Sequence, residues 1–304
     1  MHIPDGFLSA PVWGAMLVAA APSVGFAARK ASETLDERRV PLLGVMGAFV
    51  FAAQMINFPV GIGTSGHLVG GALLAMTVGP AAAAVVMTAI VAVQALVFQD
   101  GGLLALGANV FNMAVAGVAA GYLPYHLLGG KRRTLAAFLG GSLSVLVSAG
   151  LALSELRASG VNMPGSVLAV SLALFAAAAA AEGVITVLAL RAIEGVNKEW
   201  VRRPGEASAG QLVAIGGAAM ALVAVGVLVA SAAPDGLESL AQRAGFAVRE
   251  HATIATPFSG YETEWLSGAW LRQVTAGLVG LCLVFVLSAS AARMLKSAKP
   301  ARRD

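Results

Sequence analysis

Residues 66–98 read GHLVGGALLAMTVGPAAAAVVMTAIVAVQALVF, a run without a single Asp, Glu, Lys or Arg. A membrane-spanning helix needs ~20 mostly apolar residues. Residues 80–98 therefore fit one crossing, while 66–79 is short for another. Gly79-Pro80 separates the two, because proline lacks an N–H and pushes its predecessor out of helical geometry. The shorter piece is entered through GTSGH at 63–67, where irregular backbone can line a polar cavity at membrane depth. Seven further apolar blocks surround this pair, at 7–28, 40–56, 102–123, 135–154, 165–190, 210–233 and 267–290. With 58% hydrophobic and 12% charged residues in 304 positions, the chain is predicted to be an all-α, polytopic membrane helical bundle. About seven membrane segments fall in a first unit and two in a C-terminal unit.

Charge placement orients the bundle. Of the 20 Lys and Arg, 16 cluster in Arg29–Arg39, Lys131–Arg133, Arg191–Arg203 and Arg293–Arg303. The positive-inside rule puts these segments in the cytoplasm and puts Met1, 57–65, 99–102, 156–164 and 234–266 outside. The N-terminus is thus expected outside and the C-terminus in the cytoplasm, in a bacterial or archaeal cell (inner) membrane. The net charge of +4 does not point to nucleic acid, because the basic segments carry no interleaved aromatics; the lipid bilayer is the partner they report. The single cysteine, Cys282, excludes an internal disulfide and a thiolate cluster, so any metal must use nitrogen or oxygen donors. Residues 1–28 lack a basic leader and are followed by Arg29 and Lys30, as in an anchored span, so Met1 is expected to stay. The expected organisation is a unit at 1–200, a linker at 201–209 around Pro204-Gly205, and a two-span unit at 210–304. The external loop of that unit, 234–266, is mildly acidic and too poor in apolar residues for a large core of its own.

The most informative short motif is MHIPDG at positions 1–6. On an external, unblocked terminus the Met1 amine, the His2 backbone nitrogen and the His2 imidazole close two fused chelate rings on one ion. Strain-free rings are planar and require the amide to lose its proton, which only strongly binding divalent ions late in the first-row series promote. Nickel, copper and cobalt meet that condition; magnesium and calcium prefer oxygen. A plane has four corners, so one more donor is required. His67 is the candidate, since His126 is cytoplasmic and His251 lies in the appended loop. It is expected to begin a helix capped by Thr64 and Ser65, whose positive end favours neutral, metal-binding imidazole. A lone membrane histidine also serves as a hydrogen-bonded structural residue, and at this point both readings stand.

Gln94, Gln99, Asn109 and Asn112, with Asp100, are expected near the same outer face, where the amides either orient the histidines or hydrogen-bond neighbouring helices. Asp5, in Pro4-Asp5-Gly6, either folds the terminus back into the bundle or is an ordinary turn residue. Glu182 lies inside AAAAAAEGV and is costly there unless paired or protonated, which suggests a structural or partner role, or proton coupling. Small residues such as Gly140, Gly141, Ala15 and Ala19 allow close helix approach without separating internal packing from subunit docking. No G-x-x-x-x-G-K-[ST] loop, H-E-x-x-H or G-x-S-x-G occurs, so neither ATP hydrolysis, proteolysis nor esterase chemistry is supported.

MHIPDGFLS (1–9), GTSGHLVGG (63–71) and QALVFQDGGLLALGANVFNMAVAG (94–117), in this order over the first 200 residues, closely resemble the CbiM/NikM family. Those proteins are the substrate-capture (S) components of energy-coupling factor (ECF) transporters for cobalt and nickel. Residues 210–304, with PDGLES at 234–239, look like the small accessory unit of those systems, here fused to the capture component. The resemblance implies a near-planar N4 site made by the Met1 amine, the His2 backbone and side chain, and His67, with Ni2+ or Co2+ as transported substrate. It also implies partners: a membrane coupling (T) subunit and cytoplasmic ATPases, the chain itself being no enzyme. Two other readings differ in class: an autonomous proton-coupled divalent-cation permease using Glu182, and a membrane metal sensor or scaffold.

Overall fold

The structure is a computed structural model that describes residues 1–197, 208–263 and 265–297. The expected linker lies outside them up to position 207, as do Glu264 and the basic residues Lys198, Arg202, Arg203, Lys299, Arg302 and Arg303. The chain forms α1 (Ala10–Thr34), α2 (Val40–Gln54), a hairpin of β1 (Phe58–Gly61) and β2 (Thr64–Gly66), α3 (Gly71–Val78) and α4 (Pro80–Val93). It continues through α5 (Leu106–Asn109), α6 (Val118–Leu128), α7 (Arg133–Ala158), α8 (Gly165–Val196), α9 (Ala209–Val229), α10 (Gly236–Ala244) and α11 (Ala269–Ser297). Two π-helical stretches, Gln94–Phe98 and Val110–Gly117, extend α4 and join α5 to α6. Among the described residues 7 helices are long and apolar enough to cross a membrane. The bundle is all-α apart from the hairpin, as the apolar blocks predict.

Two apolar blocks make short helices. The 15 residues of α2 span ~22 Å. In the 66–79 block only 8 residues are helical, and all of α3 is buried. Its first turn follows Gly70, whose φ of +73° a β-carbon would strain and whose side-chain space is taken by Val50. His67 therefore does not begin a helix: it sits in the extended link between β2 and α3, and Thr64 and Ser65 lie in β2 instead of capping. The reason is the turn at Ile62 and Gly63, both with positive φ, which pairs Gly61 with Thr64 and makes 64–66 a strand. Pro80 then starts α4 at its first position, where its missing N–H costs nothing.

α7 packs along α8, and α2 is enclosed by α9, α11 and α4. Close approach has a visible cause in the first pair: a β-carbon on Gly141 would come within 2.6 Å of Thr186 Oγ1, and one on Gly183 within 2.7 Å of the Phe138 carbonyl oxygen. Gly140 and Gly141 thus serve internal packing, whereas Ala15 is exposed on α1. The loop between α9 and α11 shares a core with the first unit. Leu237, Leu240, Ala241 and Phe246 are buried against Ile3, Phe7, Leu8, Leu156 and Phe175, and Phe246 meets Phe7 edge to face at 5.0 Å.

The two ends of the bundle are chemically distinct. Met1, the β-hairpin, residues 99–105 and the α10 loop gather at one end. At the other, Arg39 donates to the Val78 carbonyl at 3.1 Å and Arg133 pairs with Glu194 at 2.6 Å. This is the grouping that the basic segments predict.

Candidate metal centre

The terminus is threaded into the bundle and held by its backbone. Asn109 grips Ile3 at both ends: its Oδ1 accepts from Ile3 N at 2.8 Å and its Nδ2 donates to Ile3 O at 3.0 Å. Gly102 N adds a bond to Ile3 O at 2.8 Å. The Asp5 carboxylate accepts from the amides of Leu103, Leu104 and Ala105 and from the Thr253 hydroxyl. That leaves no room beside Gly101 and Gly102. A β-carbon on Gly101 would lie 2.9 Å from Asn109 Nδ2 and 3.0 Å from His2 Cβ, and one on Gly102 would overlap Asp5.

These restraints bring the terminal nitrogen to His67. Met1 N lies 2.7 Å from His67 Nε2 and also pairs with Asp235 at the start of α10. His67 Nδ1 lies 3.0 Å from the Leu68 carbonyl, which can only accept, so Nδ1 carries the proton and Nε2 presents its lone pair to the amine. The His2 and His67 rings are nearly parallel, with an interplanar angle of 4° and centroids 5.7 Å apart. His2 is 4% exposed, and its Nε2 has no hydrogen-bond partner among the described residues. Asp100 Oδ1 lies 2.9 Å from its Nδ1. The link that carries His67 is braced from α8, where Glu182 accepts from Val69 N at 2.8 Å and from Gly70 N at 2.9 Å. Both carboxylate oxygens of this fully buried residue thus have backbone partners.

Electrostatics keep the His67 imidazole neutral. Burial, with the adjacent ammonium and His2, lowers the His67 imidazole to about 4 despite the opposing Asp235 and Asp100. Burial alone would raise the Asp100 carboxyl, but His2 beside it holds it well below the usual carboxylate range. Asp235 is likewise held low by the ammonium and His67 against the effect of burial. Tyr261, which donates to Asp100 Oδ2 at 2.6 Å, is pushed well above its ordinary value by burial and by that carboxylate. Among the described residues no three His, Cys, Asp or Glu side chains converge to hold an ion by themselves.

Of the residues named from sequence, Met1, His2 and His67 come together, and Asp5 and Asn109 secure the segment that bears the first two. None of the four amides touches a histidine ring. Gln94 donates to Gln54 Oε1 at 3.0 Å and to the Tyr261 hydroxyl, Gln99 donates to the Ile254 carbonyl, and Asn112 donates to Glu155 at 2.9 Å. Thr64 bonds the Ser239 hydroxyl and Ser65 donates to the Ala233 carbonyl, so both tie the hairpin to the α10 loop. Sequence reasoning missed Asp235 and the direct contact of Asp100 with His2. A signal for Asp235 existed, since Asp-x-x-Glu opening a helix is a capping box, and Asp235 with Glu238 forms one.

Residues 2–200 match the family described as CbiM, cobalt uptake substrate-specific transmembrane region, and residues 210–297 match the PDGLE domain. A relative from Haloquadratum walsbyi, described as a metal transport protein, is 46% identical over 149 residues, which are 49% of this chain and 68% of that one. The fused nickel transport protein NikMN of Rhodobacter capsulatus is 35% identical over 161 residues, 51% of this chain and 46% of its own. The crystal structure of a truncated transition metal transporter superimposes with a TM-score of 0.57 at 34% identity, covering 64% of this chain and 99% of that one.

Proposed function

Because this chain belongs to the CbiM family and carries a PDGLE domain behind the family's region, we propose that it captures Ni2+ or Co2+ for import. The donors are the Met1 amine, the His2 amide nitrogen, the His2 imidazole and His67 Nε2, arranged in a near-planar N4 set. One distance carries this reading. Metal–imidazole bonds are ~2.0 Å, so neighbouring corners of a square lie ~2.8 Å apart, and Met1 N is 2.7 Å from His67 Nε2. The tautomer of His67 supports it further, since Nε2 is free to donate its lone pair. Binding replaces the amine proton and the amide proton with the ion, a requirement that favours the late first-row metals over Mg2+ and Ca2+.

In this reading the chain hydrolyses no ATP. A membrane coupling subunit and cytoplasmic ATPases drive import, and the site end of the bundle faces outward with the Arg39 and Arg133 end in the cytoplasm. Glu182 braces the His67 link and carries no protons. The test is nickel titration of purified protein with one residue added before Met1. The extension displaces the amine without removing any side chain, so affinity should fall by at least a hundredfold, as it should in His2→Ala and His67→Ala. A yellow, diamagnetic nickel complex in the unmodified chain reports the planar set. Unchanged affinity in the extended protein refutes it.

A further inference from the structure

At the end of the bundle opposite the nitrogen donors, an apolar groove of about 770 Å³ runs between α1, the start of α4 and the beginning of α6. Phe26, Ala27, Val78, Pro80, Val118 and Ala119 wall it. Along α1 it extends from Ser23 to Thr34, ~17 Å of helix, close to the ~15 Å of hydrocarbon in one leaflet. Its charged end carries Lys30, Glu33 and Arg39. Lys30 and Glu33 cancel as a pair at 3.0 Å, which leaves Arg39. Its Nη2 donates to the Val78 carbonyl, and its buried Nε has no hydrogen-bond partner among the described residues.

A second cavity, of about 630 Å³, continues it along α6. Val118 and Ala119 line the groove, and Tyr122 and His126, three to four residues further along the same helical face, line the cavity. Lys131 and Arg133 also line it, and no Asp or Glu does. Arg133 is paired with Glu194 at 2.6 Å, so Lys131 is the charge left uncompensated there among the described residues. Arg39 lies at the same depth. A β-carbon on Gly71 would meet Val118 and one on Gly121 would meet Ala72, so α3 and α6 run side by side in one direction. Val78, with Arg39 bonded to it, is therefore level with the last turn of α6.

We propose that groove and cavity together hold one anionic phospholipid, its acyl chains along α1 and α6 and its phosphate at the cationic end made by Arg39 and Lys131. An apolar trough alone takes any lipid. Two cations without carboxylate partners at its end select a negative headgroup, and basic pockets between spanning helices are where such headgroups bind. A phosphate oxygen also gives the orphaned Arg39 N–H its acceptor. The match to one leaflet, and the opening past Phe26, which is 65% exposed, fit acyl chains. Bound there, the lipid fills the space beside the Gly79-Pro80 break, where α3 gives way to α4. The site stands apart from the metal centre, since neither Met1, His2 nor His67 lines either cavity.

The test is native mass spectrometry of the full chain, released from detergent micelles that contain equal amounts of phosphatidylglycerol and phosphatidylcholine with the same acyl chains. The unmodified chain should retain one phosphatidylglycerol, favoured over phosphatidylcholine by at least about tenfold. Each cation removed should lower phosphatidylglycerol retention about fivefold, so Lys131→Gln falls about fivefold and Lys131→Gln/Arg39→Gln about twenty-five-fold, with phosphatidylcholine unchanged. Lys131 is exposed, so its replacement tests the proposal even where loss of Arg39 disturbs the end of α3. Ala119→Phe, which fills the groove and touches no charge, should reduce both lipids, and Arg249→Gln, at the other end of the bundle, should behave as the unmodified chain. Millimolar inorganic phosphate should leave the lipid in place. Equal retention of the two lipids, or unchanged phosphatidylglycerol retention in Lys131→Gln and the double variant, overturns the proposal. So does displacement by phosphate, which makes this a small-anion site, and so does loss of an acidic protein partner from the variants while lipid retention stays intact.

Discussion

Replacing Glu182 tests how much of the affinity depends on the link that bears His67. The side chain is fully buried and receives two backbone N–H bonds, from Val69 and Gly70. A hydrogen bond to a charged acceptor contributes ~1.5–3 kcal/mol, and a buried donor left alone costs a comparable amount. Glu182→Gln retains one acceptor oxygen and loses one bond, about 2 kcal/mol. Glu182→Ala loses both, about 4 kcal/mol, and Gly70, with its left-handed φ, then loses the contact that fixes it. If that energy is what orders residues 67–70, each 1.4 kcal/mol removes a factor of ten. Nickel affinity should therefore fall about thirtyfold in the Gln variant and several hundredfold in the Ala variant. Isothermal titration in detergent measures this directly, with circular dichroism as the control for helix content. Wild-type affinity in Glu182→Ala would show that the link orders itself without α8, and the bracing argument fails. A proton-coupled permease predicts the opposite pattern: unchanged affinity in both variants and loss of uptake along a proton gradient.

Gly102→Ala should abolish planar nickel binding while sparing the bundle, because the added methyl occupies the place of Asp5 and displaces the terminal segment; a yellow complex in this variant refutes the threading argument. Lowering the pH should expose His67. Its imidazole titrates at about 4 in the folded chain against an ordinary 6.5, so above pH 6.5 neither state is charged there and it has no effect. Between 6.5 and 4 only the unfolded chain takes up the proton, and stability falls by on the order of 3 kcal/mol before levelling off. Thermal melts of His67→Gln against the parent should differ most in slope across that window, and identical slopes count against the assignment. Phe246→Ala should cost ~3–5 kcal/mol, and should also raise proteolysis of the α9–α11 loop, since Phe246 fastens that loop to Phe7.

Hydropathy and charge made the bundle legible, because lipid demands helices and both signals are additive along the chain. The same statistics misjudged residues 64–70. A two-residue turn with positive φ at Ile62 and Gly63 outweighs the apolar run, so backbone geometry, and not hydropathy, decides where α3 begins. That Met1, His2 and His67 come together could be expected, because nitrogen donors proposed for one ion must meet. Asp235 could be read only as a helix cap, since its meeting with the terminus spans 234 positions and depends on how the last two long helices pack around α2. The amides illustrate the same limit: Asn109 and Gln94 carry the same functional group, yet one grips the terminal backbone and the other joins Gln54 and Tyr261.

The α10 loop is covalently part of the polypeptide whose terminus it touches. A partner supplied on a separate chain must meet its target at cellular concentration, whereas a tethered one is present at an effective concentration near millimolar for short connections. Contacts such as the hydroxyl pair of Thr64 with Ser239 then add to a loop already fastened by its buried Leu237, Leu240 and Phe246. Fusion thus keeps the loop beside the terminus whatever the cellular concentration of either part.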